Sequence, residues 1–423
     1  MALVTASLSD RRCTMKGMTA TPFFSADRFQ YWAIDFVRNE FEVVTVDGQR
    51  HTEALPPPTL RDNQVARSVF DWERWWVWNT TVRGDLFASE AYSPMNTDKG
   101  RPAVYLDQNH WSTLAWARVD PSKVKNQDEL AAAQRIIALA ADAGIVLPLS
   151  SAHLTETGPL YGDRRYQVGL MMASMSAGWQ LRSPLKVWGN ELAAMLAGYE
   201  HLPVPPSTKM PVVTLEPLAW SSGGPHAHEI DNDLELFQLV LTEPSVILST
   251  LIDTTPLQRS EASAWVERNR QITELFAAED LTEAERRRRT TGLFWCENIQ
   301  ELERAAAIVG VDASRFAQDA DALVHQLKTM PYLSILSTLF QYRHLDRNAR
   351  WKSGDFFDML YLSCAAAYCD YVAAETYTGT QIQQILRQQG KRVNTFVSLT
   401  DLVAALDRDG VMTASERAAR GDH

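Results

Sequence analysis

The chain has 423 residues, more than one average hydrophobic core holds, so two units or one domain with a large insertion is expected. With 45% hydrophobic and 22% charged residues it is composed like a globular protein, which excludes the disordered class. A net charge of −11 excludes a generally basic surface that coats nucleic acid and leaves only a local basic groove for such contacts.

The first stretch, MALVTASLSDRRCTMKGM, carries its positive charges after the short apolar part and reads as a frayed tail, not a secretory signal. Phe23–Val44 is expected to hold a helix, followed by a strand over Phe41–Val46 that turns at Asp47-Gly48. After Pro56–Pro58, the spacing of Trp72, Trp75, Trp76 and Trp78 predicts one helix over Arg67–Thr80. Its indoles serve either as core anchors or as a base-stacking platform. Ser93–Arg101 reads as a linker, so 1–100 is taken as an N-terminal extension.

Ala103–Leu106 is a short apolar strand that runs into Asp107, followed by Gln108, Asn109 and His110. In an open α/β sheet ligands gather beyond the carboxyl ends of the strands, so Asp107 stands either at the rim of such a crevice or as the N-cap of a helix over Trp111–Arg118. An amphipathic helix over Gln127–Ala143 and a buried strand over Ile145–Leu149 imply a right-handed parallel crossover. In SSAHLTETG, Ser150 or Ser151 caps a short helix that carries Glu156 to the same rim.

Helical spacing then continues almost unbroken through Asp163–Trp179, Pro184–Gly198, Asp231–Leu241, Pro256–Phe276, Thr282–Val309, Asp312–Met330 and Pro331–Leu345. Within it, Arg286–Arg289 either grips phosphates or pairs with neighbouring glutamates, and Arg343, His344, Arg347, Arg350 and Lys352 lie just ahead of the next acids. His226, His228 and Asp231 form an HxHxxD run that is either a zinc site or a plain exposed loop.

The stretch KSGDFFDMLYLSCAAAYCDYVAAETY organises the rest. Ser353 is the expected N-cap of a helix whose apolar stripe is Phe356, Leu360, Cys364 and Ala367; Asp355 and Asp358 lie on another face one turn apart. A buried strand over Tyr371–Ala374 follows, bracketed by Asp370 and Glu375.

VYLDQN, LSSAHLTE, GDFFD and AYCDYVAAE, in this order, resemble the acid set of PIN-domain nucleases, and a closing strand at Val393–Val397 with a helix at Ser398–Leu406 suits that fold. The resemblance covers about Pro102–Thr157 and Lys352–Leu406. It departs from the family pattern at Ala367, where Pro is usual, and at Glu375, where Asp is usual. It implies an α/β, three-layer PIN-like domain with a central, mostly parallel sheet, split over 101–157 and 351–406. A helical insertion over 158–350, able to form a lid, would interrupt it, and a tail over 407–423 would follow.

The resemblance also implies a function: a metal-dependent ribonuclease, with catalytic Asp107, Glu156, Asp355 and Glu375, and Asp107, Glu156 and Asp355 as the leading metal ligands. Asp358, Asp370 and Glu375 would be outer or alternate ligands, with Asp370 equally placed to cap the strand. Oxygen-only ligands select Mg²⁺ or Mn²⁺. RNA, or less commonly DNA, is the expected substrate, held by Asn109, Arg343, Arg347, Arg350 and Lys352. The alternatives are a catalytically silent scaffold that binds RNA or a protein partner or inhibitor, and a zinc hydrolase built on His226 and His228. The four cysteines show no CxxC pair and no apolar run spans the roughly 18 residues a bilayer needs, so a cytoplasmic protein is expected.

Overall fold

The computed structural model describes residues 28–55, 64–93, 99–230, 233–255, 263–279, 281–314, 320–346 and 350–421. It is a mixed α/β protein of two compact units: Met1–Ala91 with Phe237–Thr250, and Tyr92–Leu236 with Leu251–His423.

The first unit is an antiparallel sheet of β1 (Phe29–Asp35), β2 (Glu40–Thr45), β3 (Arg50–Ala54), β4 (Val65–Asp71), β5 (Trp76–Thr81) and β6 (Leu86–Glu90), in the order β3-β2-β1-β4-β5-β6. Strands replace both helices expected from the sequence. Over Trp76–Thr81 the burial has period two: Val77, Asn79 and Thr81 are buried while Trp76, Trp78 and Thr80 face the other way. Between the strands Asp71 accepts the N–H groups of Glu73 and Arg74, both at 3.0 Å, and Trp75 adopts φ 60°, so the tryptophans fall on a hairpin and not on one helical face. The strand at Phe41 and the turn at Asp47-Gly48 are present; the part of the expected first helix before residue 28 lies outside the described residues.

A helix over Asp233–Ile252 lends Phe237–Thr250 to this unit. The Phe237 ring stacks on Trp72 at 4.9 Å and 7° and meets Trp32 and Phe70 edge-on, so Trp32 and Trp72 act as core anchors. Contrary to the sequence expectation, one window of this helix, Glu235–Ile252, is long and apolar enough to cross a membrane (mean hydropathy 1.3), with 39% of it buried.

The second unit is organised by a small parallel sheet: β7 (Val104–Leu106), β10 (Tyr371–Ala373) and β11 (Thr395–Phe396), in the order β11-β10-β7. Val146 extends it through a parallel bridge to Ala103, and Leu149 makes a second parallel bridge to Gln180, so the segment read as the strand Ile145–Leu149 pairs only at these two isolated residues. A short antiparallel pair, β8 (Gln180–Leu181) and β9 (Val213–Thr214), completes the strands among the described residues. The helices of this unit include α1 (Gln108–Val119), α2 (Gln127–Ala141), α3 (Ser151–Thr157), α4 (Pro184–Tyr199), α5 (Glu283–Glu297), α6 (Ile299–Val309), α7 (Pro331–Leu345), α8 (Asp355–Tyr368), α9 (Thr376–Gln388) and α10 (Leu399–Arg408).

The helices α4 to α7, which fall within the expected insertion, join the core of the second unit. Trp188 on α4, Phe294 on α5, Leu302 on α6 and Tyr332 and Leu336 on α7 share one buried cluster with Leu360 and Cys364 on α8, Val372 on β10 and Ile382 on α9. The expected single helix Thr282–Val309 is two, broken at Asn298, whose amide side chain bonds back to the carbonyl of Phe294. Glu191 on α4 caps α7 by accepting the N–H groups of Tyr332 (2.7 Å) and Leu333 (2.9 Å).

Close approach of α9 to β10 depends on Gly379. A Cβ there would lie 2.9 Å from Val397 Cγ1 and 3.2 Å from Ala374 Cβ. Neither neighbour has a flexible end that can give way. We expect Gly379→Ala to lower stability by about 1–3 kcal/mol, read from the urea midpoint at unchanged slope.

Candidate metal site at the carboxyl ends of the parallel strands

Asp107 directly follows β7, and Glu375 directly follows the β10 segment through Ala374. Parallel pairing of Leu106 with Ala373 brings these two acids to the same edge. Asp107 does both things the sequence allowed. Its Oδ1 accepts the N–H of Gln108 at 2.8 Å as the N-cap of α1, and its Oδ2 accepts the N–H of Glu375 at 3.2 Å. Burial raises its pKa, an effect the two N–H donors partly offset.

Glu156 arrives on α3 and Asp358 on the first turn of α8. One carboxylate oxygen from each of Asp107, Glu156 and Asp358 lies within 4.8 Å of the others, and all three side chains are half-buried. Like charges this close oppose one another's ionisation. Burial first, and then the charges of Asp107, Glu375 and Asp355, push Asp358 up to about 8, against the opposing pull of Arg343. At neutral pH the cluster therefore keeps a proton on Asp358 unless a cation takes its place. The three groups supply only carboxylate oxygens, the donor type that Mg²⁺ and Mn²⁺ take, and no imidazole or thiolate.

The other acids go elsewhere. Asp355, expected as a leading ligand, forms an ion pair with Arg343 and accepts the N–H of Lys352 at 2.6 Å, so it shapes the field at Asp358 without joining the close group. The helix begins at Asp355 with Gly354 at its cap, in place of the expected Ser353. Glu375 caps the start of α9, where Thr378 Oγ1 donates to its Oε1 at 3.2 Å. Asp370 sits at the opposite end of β10. There it pairs with Lys99 at 2.5 Å and accepts the N–H of Ala103 at 2.8 Å, about 10 Å from the acids along a three-residue strand. Of the two roles open to it in the sequence, it takes the strand-anchoring one.

The expected substrate-binding residues also divide. Arg343 is buried and committed to Asp355, to the carbonyl of Arg350 at 2.8 Å, and to the faces of Trp351 and Tyr377. It is a brace for the acid helix, not a free phosphate ligand. Asn109, Arg350 and Lys352 are exposed, and Arg347 lies outside the described residues. In the basic run Arg287 pairs with Glu283 at 2.7 Å and Arg289 with Glu279.

His226 is not an exposed loop ligand. Its Nδ1 lies 3.2 Å from Arg182 Nη1 and 3.6 Å from Glu216, in a buried network where Arg182 also bonds Glu216 directly. His228 only stacks on His226, and Asp231 lies outside the described residues. Burial alone would raise the Glu216 carboxyl, but the His226 hydrogen bond and the Arg182 charge outweigh it and hold it at about 2. Its folded pKa is depressed, so its stabilisation is present above the ordinary glutamate range and is lost as pH falls toward 2. Glu216→Gln leaves Arg182 buried without its counter-charge and is expected to cost about 3–5 kcal/mol in chemical denaturation.

Sequence reasoning missed the groups that hold the acids in place. His153 and His110 are both buried; the first ties α3 to β7 and the second bonds the carbonyl of Ala374 at 3.3 Å. Tyr361, one turn beyond Asp358, bonds Ser151 at 2.5 Å, and Tyr105 bonds Ser150 at 2.9 Å. The helical spacing of Asp358 and Tyr361 was the available signal for one of them. No family model, no curated protein and no solved structure matches the chain.

Proposed function

We propose that this protein is a divalent-metal-dependent nuclease of the PIN-like kind, hydrolysing phosphodiester bonds of RNA, or less commonly DNA, at Asp107, Glu156 and Asp358. The observation that carries the reading is the convergence of these three carboxylates, from three segments well separated along the chain, beyond the carboxyl ends of parallel strands. A split PIN-like domain accounts for that convergence, and a cytoplasmic setting suits the buried free thiols of Cys364 and Cys369.

In this reading Asp107, Glu156 and Asp358 would hold Mg²⁺ or Mn²⁺. A bound ion of that kind lowers the pKa of a water and neutralises charge on phosphate oxygens. The chain's own groups do the rest. Asp107 is aimed by the N–H groups of Gln108 and Glu375, and Asp358, whose carboxyl is held in the protonated form by burial and its acidic neighbours, would have to give up that proton to serve as a ligand. Asp355 and Arg343 brace the start of α8. Asn109, Arg350 and Lys352 are the exposed groups available to a substrate backbone.

The test is cleavage of single-stranded and hairpin RNA by the purified full chain with Mg²⁺ or Mn²⁺. Cleavage that stops on chelation and returns with the ion supports the reading. A protein that binds RNA or a partner equally with and without the ion, and cleaves nothing, is the silent scaffold instead.

A further inference from the structure

His153 is 1% exposed and stacks on Tyr105 with ring centroids 5.1 Å apart. Its Nδ1 accepts the backbone N–H of Ser150 at 3.0 Å, which fixes the tautomer, because an amide N–H can only donate. Nε2 therefore carries the hydrogen and donates it to the carbonyl of Leu106 at 2.8 Å. Leu106 is the residue before Asp107, and Ser150 is the residue before the helix that bears Glu156. One rigid ring thus spans the two segments that supply two of the three carboxylates. Gln108 adds a parallel tie, donating from Nε2 to Thr157 Oγ1 at 3.1 Å, next to Glu156.

We propose that His153 is a positioning residue that sets the Asp107–Glu156 separation and thereby the size of cation the cluster accepts. This rests on the metal-site reading above. Mg²⁺ and Mn²⁺ need oxygens at about 2.0–2.2 Å in near-octahedral array, whereas Ca²⁺ takes about 2.3–2.6 Å and tolerates irregular geometry. A strut that keeps the carboxylates close favours the small ions; a site without it relaxes toward the larger one.

The two bonds of the imidazole separate by substitution. In His153→Asn the side-chain oxygen takes the place of Nδ1 and keeps the Ser150 bond, but the amide falls short of Leu106. In His153→Gln the amide nitrogen reaches the Nε2 position and keeps the Leu106 bond. The experiment titrates wild type, His153→Asn, His153→Gln and Asp107→Asn with Mn²⁺ by electron paramagnetic resonance. Ca²⁺ competition and a urea midpoint are measured for each variant. We expect His153→Asn to weaken Mn²⁺ binding about 10–100-fold and to shrink the Mn²⁺/Ca²⁺ preference, as losses of groups that orient ligands do. His153→Gln should restore most of both, whatever its midpoint. Mn²⁺ binding and ion preference that stay at the wild-type level in His153→Asn overturn the inference and leave the metal site standing. Wild type that shows no Mn²⁺ binding dependent on Asp107 overturns the metal site itself, and the inference with it.

Discussion

Asp107→Asn is expected to reduce RNA cleavage by at least about 10²-fold while the urea midpoint moves little. Both halves follow from what Asp107 touches. Its Oδ1 caps α1 through Gln108 and its Oδ2 accepts the N–H of Glu375. Asparagine keeps one oxygen for the cap, so the helix start survives. The amide has no negative charge, however, and its NH₂ faces either an N–H donor or the ion. One of three anionic donors is then gone from a site that offers only carboxylates. Cleavage rate under saturating Mn²⁺, with far-ultraviolet circular dichroism and urea melts alongside, separates loss of the site from loss of the fold.

Asp358→Asn is expected to raise the stability of the metal-free protein. Asp358 has its folded pKa raised to about 8 against an ordinary value of 3.8, so over that interval the folded protein binds a proton that the unfolded chain releases. Stability of the metal-free protein from this group is therefore highest at low pH and falls as pH rises from about 4 to about 8, levelling off above. Asparagine mimics the protonated acid and needs no proton. At pH 7.5 the metal-free variant should melt about 3–8 °C higher than wild type, corresponding to roughly 2 kcal/mol once solvent access is allowed for. The same variant should gain nothing from added Mn²⁺, whereas wild type gains more at pH 8 than at pH 6. Below about pH 8 each unit should weaken apparent Mn²⁺ affinity roughly tenfold, because the ion must displace one proton. Differential scanning calorimetry at pH 6, 7.5 and 8, with and without ion, reads all of these effects.

The sequence made the parallel-sheet half legible because its signals are local. Short apolar runs end in an acid at Asp107 and at Glu375, and capping residues stand where α1, α3 and α10 begin. Two readings failed for a physical reason. The tryptophans over residues 72–78 fit a helical period only if the Asp71 turn is overlooked, and β-branched neighbours such as Val69, Val77 and Thr80 favour strands there. The choice between Asp355 and Asp358 could not be made from spacing. Both lie on the first turn of α8, and it is Arg343, a buried side chain from another helix, that captures Asp355. Likewise the basic residues near residue 350 looked like one substrate patch, and only burial separates the brace Arg343 from the exposed Arg350 and Lys352.

The proposed site requires a carboxylate cluster that holds a proton until a divalent ion replaces it. Isothermal titration of the metal-free full chain with Mn²⁺ at pH 7, repeated in two buffers of different ionisation heat, counts the protons released on binding. Saturable binding to wild type with about one proton released, abolished in Asp107→Asn, is the predicted result. Absence of binding, or binding with no proton released and unchanged by Asp107→Asn, would contradict it.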